Sequence, residues 1–235
     1  FDPIELRRRN MIKPDEMPYD NKLGMTYDSG TYEAAMDQCF GISDLDGFAA
    51  RKADSAKRSL KRGLGISAYM ETSTGAPRER TEMTVRPDGE IDVIIGTLSA
   101  GQGHETSFAQ LLTEWLDVPI DCVNLITGDT DIVSVGGGTH SGRSMRLAGV
   151  VMGMATDIII EKGQRIAGHV LEASENDIEF ANGRFGIAGT DRSLDIFEIA
   201  KAAMERDDLP EDLAGELPGE GHFTQTKPAY PFGCH

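Results

Sequence analysis

The sequence contains few cysteines, and their spacing excludes several kinds of site. Only Cys39, Cys122 and Cys234 occur among the 235 residues, and no two of them form a Cys-x-x-Cys pair. Such isolated residues exclude a disulfide framework and a cysteine cluster that could hold an iron–sulfur centre. Scarce, unpaired cysteines are typical of a reducing compartment, and we therefore expect a cytoplasmic location.

Positive charge and long apolar runs are also scarce. The chain has 23 lysines and arginines against 39 aspartates and glutamates, which gives a formal net charge of −16 at pH 7. This balance argues against nucleic acid and anionic membrane surfaces as partners, because both need a cationic footprint. No run of about 18 apolar residues occurs and no signal peptide is visible, so no membrane span is expected.

The patterns along the chain predict an α+β protein with mixed sheets and helices in two lobes, which divide near residues 97–104. Strand patterns occupy 65–71, 81–86, 91–97, 122–127, 178–180 and 184–187, with hairpin turns at 87–89 and 182–183. Helix patterns occupy 1–12, 32–39, 46–62 and 194–204, and two more helices follow glycine-rich turns. We expect Ser29 and Ser193 to act as helix caps, and the acidic segment 207–220 to be an exposed loop.

Apolar stripes mark the buried faces of the two helices that follow glycine-rich turns. The first helix has a continuous stripe at helical spacing, formed by Phe108, Leu111, Leu112, Trp115 and Leu116. For the second, longer helix the pattern predicts a buried stripe of Leu147, Val150, Val151, Met154 and Ile158. Gly149 and Gly153 lie one turn apart on a neighbouring face, where they permit close packing.

The two glycine-rich turns are the strongest candidates for a binding site. In each, a strand ends, glycines follow, and a helix begins, at Gly101–His104 and at Gly136–Gly142. The first amide groups of a helix have no partner within it and carry partial positive charge, so such a start can bind phosphate. We expect both turns to face a common cleft that holds one long, phosphate-containing ligand.

Several side chains near these turns could donate hydrogen bonds to such a ligand. Gln102 and Thr106 belong to the first turn, Thr139, Ser141 and Ser144 offer hydroxyls at the second, and Arg143 offers a guanidinium suited to phosphate. Neither turn matches the GxGxxG or GxxxxGK[ST] nucleotide motif, and a glycine-rich turn is often only a turn. The five histidines have no metal-ligand spacing, and no catalytic triad can be assembled from the sequence.

The first turn carries a more specific signal. Gly101-Gln102-Gly103-His104-Glu105-Thr106, followed by Gln110, resembles the signature of the molybdenum-binding large subunit of the xanthine dehydrogenase/aldehyde oxidase family, in particular its bacterial carbon monoxide dehydrogenase type. Segments 2–7, 27–30, 127–131 and 231–233 are similar to family segments in order and spacing, and Gly138-Thr139 through Arg143-Ser144 resembles the second cofactor loop. The family commonly has Gly-Ser before Arg-Ser, whereas this chain has Ser141-Gly142.

The resemblance implies a fold like the molybdopterin-binding domain of molybdenum hydroxylases, with residues 1–235 an internal portion of it. It implies a molybdenum cofactor in the form of molybdopterin cytosine dinucleotide. It further implies that the cofactor is lined by Gln102, Gly103, His104, Thr106, Thr139, Ser141, Arg143 and Ser144.

The resemblance also implies an activity and partners. The family hydroxylates aldehydes, N-heterocycles or carbon monoxide with oxygen from water, and passes electrons to iron–sulfur clusters and FAD on partner subunits or domains, in a dimer of heteromers. Its base glutamate lies in a Gly-x-Gly-Glu segment, which this sequence lacks. We therefore expect no catalytic residue and no protein metal ligand here, and no activity from the chain alone. The alternative is a non-catalytic ligand-binding or subunit-assembly domain that keeps the fold.

Overall fold

A computed structural model describes residues 2–73 and 75–235 and divides the chain into two compact units. The first unit comprises Phe1–Ser73 with Lys227–His235, and the second comprises Thr74–Thr226. The lobe boundary expected near residues 97–104 falls within the second unit. The helices and strands are, in chain order, α1 Pro3–Asn10, β1 Tyr19–Asp20, β2 Thr26–Tyr27, α2 Tyr32–Ile42, α3 Phe48–Lys57, β3 Ala68–Met70, β4 Arg78–Val85, β5 Ile91–Ile95, α4 His104–Leu116, β6 Val123–Ile126, α5 Arg143–Val170, β7 Ile178–Ala181, β8 Arg184–Ile187, β9 Ser193–Asp195, α6 Ile196–Glu205, β10 Leu217–Thr224 and β11 Phe232–Cys234.

The first unit is built on helices and two small antiparallel sheets. The Asp2 carboxylate caps α1 by accepting from the amide of Ile4 at 2.7 Å, as a residue with a short acidic side chain does at a helix start. Arg8 of α1 pairs with two carboxylates of α2, at 3.0 Å from Glu33 and also with Asp37. The C-terminal strand β11 pairs with β3, and β1 pairs with β2.

The second unit is built on a four-stranded sheet in the order β10-β4-β5-β6. β4 and β5 form an antiparallel hairpin through the predicted turn at Pro87-Asp88-Gly89. β5 and β6 are parallel, and α4 is the connection between them. The 28-residue helix α5 packs along β10 and β4, and a separate β7-β8-β9 sheet lies at its far end.

Close packing of α4, α5 and the sheet forms the core of the second unit. The predicted stripe of α4 is confirmed, because Phe108, Leu112 and Leu116 are fully buried. Gly149 and Gly153 of α5 face α4, where an added Cβ would lie 3.9 Å from Leu111 and 3.8 Å from Trp115. The core places the N-termini of α4 and α5, and hence both glycine-rich turns, in the same unit.

The predicted stripe of α5 is only partly correct. Leu147 and Val151 are buried as expected, but Val150, Met154 and Ile158 are exposed by 39–44%. The buried face instead uses small and neighbouring residues, namely Ala148, Met152, Ala155, Thr156 and Ile159. Alanines allow the strands to approach the helix closely, so the larger apolar residues one position away do not face the sheet.

Two of the predicted caps and one helix length are wrong. Ser29 does not cap α2, which begins after Thr31, and Ser193 lies in β9. Asp195 caps α6 instead, because its carboxylate accepts from the Glu198 amide at 2.8 Å while the Glu198 side chain accepts from the Asp195 amide. The helix expected at 46–62 is confined to Phe48–Lys57.

The segment expected to be an exposed acidic loop is a loop only in part, because residues 217–220 begin the strand β10. Its Leu217 is fully buried, and Leu209 and Leu213 before it are nearly so. An added Cβ at Gly221 would lie 2.7 Å from the carbonyl carbon of Val151, which shows that the backbones of β10 and α5 are in direct contact. The glycines of β10 are therefore explained by close helix–strand packing, whereas residues 207–216 form turns, as the composition suggested.

Candidate functional site

The two glycine-rich turns line one cleft of the second unit. This cleft has a volume of about 420 Å³, within the range of small-molecule and cofactor sites. The first turn contributes Gln102, His104 and Ser107, and the second contributes residues 139–145. The prediction that both helix starts face a common cleft is confirmed.

The start of α4 borders the cleft, and its first amide groups have no side-chain cap. Gly103 is the N-cap residue, with a left-handed backbone (φ 71°), and no side chain caps the helix. The amides of Thr106 and Ser107 turn back to the Gly103 carbonyl at 3.1 and 3.0 Å. No acceptor among the residues that the structure describes bonds to the amides of His104 and Glu105. Two unpartnered amides at a helix N-terminus suit an anion.

The start of α5 has the same construction. Gly142 is the N-cap residue, again left-handed (φ 62°), and no side-chain cap is present. The Arg143 amide bonds to the His140 carbonyl at 3.0 Å, whereas the amides of Ser144 and Met145 have no acceptor within residues 2–73 and 75–235. The partial positive charge of the dipole of this 28-residue helix lies at this point. The cleft therefore receives two positive helix ends.

The hydroxyl and imidazole groups of the cleft are held in place by short local bonds. Ser144 Oγ donates to Thr139 Oγ1 at 3.0 Å, and Ser141 Oγ lies 3.1 Å from His140 Nδ1. The buried His104 ring lies with Nδ1 2.9 Å from the Thr97 carbonyl and stacks on Phe108 at 4.6 Å between centroids. These groups line the cleft, and all of them except His140 are among the residues that the sequence singled out. A carbonyl accepts only, so Nδ1 carries the proton and Nε2 is the free ring atom.

The Arg143 guanidinium is not available as the phosphate ligand that the sequence predicted. Arg143 is fully buried, and its Nη2 is 2.9 Å from Glu79 Oε2, which is also buried. Its other bonds go to backbone carbonyls: Nε to Ala76 at 3.0 Å, Nη1 to Gly138 at 2.6 Å and Nη2 to Arg78 at 2.8 Å. Four donor bonds of the guanidinium are thus satisfied within the protein. The prediction that Arg143 donates a pair of hydrogen bonds to a phosphate is wrong in this structure. Those donors are already bonded within the protein, and Glu79 neutralises the guanidinium charge.

The glycines of the second turn are required by packing as much as by backbone conformation. An added Cβ at Gly137 would lie 2.7 Å from Arg143 Cζ, so the loop lies directly over the guanidinium. An added Cβ at Gly136 would lie 2.8 Å from the Gly96 carbonyl oxygen, which belongs to the segment after β5. The loop is therefore packed against both the sheet and the arginine.

The predicted site residues are placed as follows. Gln102, His104, Thr139, Ser141 and Ser144 line the cleft, and Arg143 borders it while its guanidinium points into the protein. Gly103 supplies the N-cap and Thr106 lies in the first turn of α4, without being among the residues that line the cleft. The Gln102 side chain accepts from the Ala100 amide at 2.6 Å, so it stabilises the turn.

Glu79, Ser107 and His140 lie at or beside the cleft but are not among the site residues that the sequence predicted. His140 bonds to the Gly137 carbonyl at 3.1 Å through Nε2 and so closes the second loop. Glu79 alternates in phase with buried Thr81 and Met83 on β4, and this placement of an acidic residue at a core position was the signal that could have found it. No sequence feature linked it to Arg143, which lies 64 residues away.

The described part of the chain contains no group of three or more histidine, cysteine, aspartate or glutamate side chains that could hold a metal ion. No helix within residues 2–73 and 75–235 is long and apolar enough to cross a membrane.

Comparison with known proteins agrees with the geometry. The family model described as "Molybdopterin cofactor-binding domain" matches residues 38–235. The chain is 32% identical to the carbon monoxide dehydrogenase large chain of Afipia carboxidovorans and 30% identical to that of Hydrogenophaga pseudoflava. In both cases the match covers 100% of this chain and 31% of the relative.

A solved structure shows the same fold. The reconstituted CO dehydrogenase from Oligotropha carboxidovorans superposes with a TM-score of 0.76 at 31% identity, over 100% of this chain and 31% of that one. The chain thus spans about a third of the length of the relatives it matches. The mixed α/β architecture is that of a molybdenum hydroxylase domain. Because the family model matches most of its length, the chain belongs to the molybdopterin cofactor-binding domain family.

Proposed function

We propose that the cleft between the N-termini of α4 and α5 holds the phosphate-bearing part of a molybdopterin cofactor. The observation that carries this proposal is the pair of helix starts without side-chain caps, with open amides at His104, Glu105, Ser144 and Met145. Pyrophosphate needs several donors at close range, and two helix N-termini supply them together. The cytosine dinucleotide form accords with an extended ligand that touches both turns.

The donor set of the cleft fits this group. Backbone amides and the Thr139 hydroxyl can donate to phosphate oxygens, whereas the hydroxyl oxygens of Ser141 and Ser144 and the His104 Nε2 can accept from amino and hydroxyl groups of the nucleotide. The binding does not require a free arginine, because helix dipoles stabilise an anion without a formal countercharge. This accounts for a phosphate site in a chain of net charge −16.

The proposed activity is that of a molybdenum hydroxylase large subunit, acting on carbon monoxide, an aldehyde or an N-heterocycle. When bound, the cofactor supplies two-electron oxidation of the substrate carbon at molybdenum. This chain's residues hold and orient the phosphate end of the cofactor. We further propose iron–sulfur and FAD partners that accept the electrons, a dimer of heteromers, and a cytoplasmic location.

A charge substitution tests the proposal in the full-length protein. Ser144→Asp places a carboxylate beside the open amides of α5, where it competes with and repels phosphate. The expected result is a loss of molybdenum and cytidine nucleotide by about tenfold or more, since repulsion and lost donors together exceed about 1.4 kcal/mol. Metal analysis and nucleotide release after acid hydrolysis measure both contents.

A matched variant controls for general effects of the new charge. Ser193→Asp makes the same change in β9, where the Ser193 Oγ already accepts from Arg184 at 2.9 Å, outside the cleft. This variant should keep its molybdenum. Equal cofactor contents in the two variants would contradict the proposed site. Wild-type protein with neither molybdenum nor pterin would instead favour a non-catalytic binding or assembly domain.

A further inference from the structure

A buried ion pair lies beneath the second glycine-rich loop and has no role in the site as proposed so far. Arg143 and Glu79 have fully buried side chains and meet at 2.9 Å. Removing two charges from water is costly, and such a pair is often no more stabilising than apolar residues of the same size. The presence of the pair directly under a ligand-binding loop therefore calls for a role other than stability.

The bonds of Arg143 connect two different segments. On one side its Nε and Nη2 bind the carbonyls of Ala76 and Arg78, at the entry to β4. On the other side its Nη1 binds the carbonyl of Gly138, in the loop, at 2.6 Å. Glu79 sits on β4 itself and fixes the orientation of the guanidinium plane. The guanidinium thus connects the loop to the N-terminal end of β4, an interior strand of the sheet.

The other bonds of the loop are long or local, apart from the packing of Gly136 on Gly96. Gly138 donates its amide to the Gly96 carbonyl at the long distance of 3.3 Å, and His140 bonds to the Gly137 carbonyl within the loop itself. Glycines at 136, 137, 138 and 142 give this loop a larger conformational entropy than ordinary residues would. The Thr139 and Ser141 hydroxyls bond to Ser144 and His140, which belong to the loop or to the start of α5, whereas the Arg143 guanidinium connects the loop to the start of β4.

We propose that Arg143 and Glu79 are positioning residues, which fix the loop 136–142 so that its hydroxyls and the open amides of α5 face the cofactor. Arg143 acts through the Gly138 carbonyl and does not touch the phosphate. The contribution of the pair to cofactor binding rests on the proposed function. Its contribution to holding the loop does not.

The test compares lysine and arginine at the same position. Arg143→Lys keeps the charge and the pairing with Glu79, but a single ammonium cannot reach Ala76, Arg78 and Gly138 at once. Hydrogen exchange of peptides covering residues 136–143 is measured by mass spectrometry in full-length protein produced without cofactor. Loss of one charge-assisted bond should accelerate exchange there by about tenfold, with a comparable loss of molybdenum in cofactor-loaded preparations.

Two further variants separate this role from the alternatives. Glu79→Gln retains the carbonyl bonds of Arg143, so loop exchange and molybdenum content should change less than in Arg143→Lys. Arg86→Lys makes the same substitution at the β4–β5 hairpin, where Arg86 pairs with Asp88 and Asp92 at the surface, and should change neither quantity.

Each contrary result has a distinct meaning. Molybdenum loss in Arg143→Lys with unchanged loop exchange would indicate direct contact with the cofactor and overturn the positioning role. Faster loop exchange with full molybdenum content would show that the pair serves the fold alone, and would overturn it as well. If wild-type protein holds no molybdenum, the proposed function fails, and unchanged loop exchange would then independently overturn the inference.

Discussion

Gly136 and Gly96 touch through their backbones, so that the second glycine-rich loop lies directly on the segment that follows β5. An added Cβ at Gly136 would lie 2.8 Å from the Gly96 carbonyl oxygen and 3.0 Å from its carbonyl carbon. Because both partners are backbone atoms, neither can rotate away as a flexible side chain would. The glycine at this position is therefore fixed by the approach of two chain segments.

Gly136→Ala should displace the loop. We expect destabilisation by about 1–3 kcal/mol, as for other overpacked positions, together with reduced cofactor content in the full-length protein. Chemical unfolding monitored by fluorescence of Trp115, the single tryptophan, measures the first effect. A stability equal to that of wild type would show that the loop can move without cost, contrary to this packing.

Alanine substitution at two glycines of α5 should change the free energy of unfolding in opposite directions. An added Cβ at Gly149 would lie 3.9 Å from Leu111, an ordinary contact, so Gly149→Ala should stabilise by about 0.5–1 kcal/mol through helix propensity. At Gly163 the Cβ would lie 2.7 Å from Cε1 of the fully buried Phe185, so Gly163→Ala should destabilise. The two unfolding midpoints should lie on either side of the wild-type value, and shifts of the same sign would contradict the packing of this helix.

Much of the fold could be predicted from the sequence because its signals are local. The hairpin turn at Asn182-Gly183 joins β7 and β8 as expected, and both residues have the positive φ angles that such a turn requires. The apolar stripe of α4 follows from the spacing of its residues, and the two helix starts follow from the glycine-rich turns before them. These features depend on neighbours a few residues away.

Long-range packing explains most of the errors. β10 was missed because Gly219 and Gly221 look like loop residues, yet they allow the strand to lie on α5. The buried face of α5 was misplaced because close contact with that strand selects Ala148 and Ala155 over larger residues. In the site, Arg143 looked like a phosphate ligand because nothing local revealed its partner Glu79.

Acid should weaken the contact between α1 and α2 in the first unit. The Lys13 and Arg8 side chains bond to Glu33 and lower its pKa below the ordinary value of 4.5, and Arg8 lowers that of Asp37 below 3.8. A carboxyl with a depressed folded-state pKa contributes stability above its unfolded value and loses that contribution as pH falls through the folded value. Stability should therefore decline in the acid range below these ordinary values.

The pH dependence can be assigned by substitution. Glu33→Gln should flatten the acid limb of a plot of unfolding midpoint against pH, since it removes one titrating group from the α1–α2 contact. Glu114→Gln on α4 provides a control, because it removes a carboxylate from the second unit. An acid limb that is identical in wild type and Glu33→Gln would show that this ion-pair cluster does not control the acid response.

The 235-residue chain expressed alone should not catalyse. It has no Gly-x-Gly-Glu segment and no cysteine cluster for iron–sulfur centres, and it spans 31% of the length of its carbon monoxide dehydrogenase relatives. Elemental analysis and dye-reduction assays with aldehydes, purines and carbon monoxide measure the outcome. Stoichiometric molybdenum with turnover would place a complete catalytic centre within these residues and contradict the account.

A structure of the full-length protein purified with its cofactor would show whether both helix starts hold the phosphates. Phosphate oxygens should lie within hydrogen-bond distance, about 2.7–3.2 Å, of the amides of both helix starts, at His104 or Glu105 and at Ser144 or Met145. Arg143 should remain bonded to Glu79 and Gly138. A cofactor whose phosphates lie away from both helix starts, or are held by a released Arg143 guanidinium, would contradict these predictions.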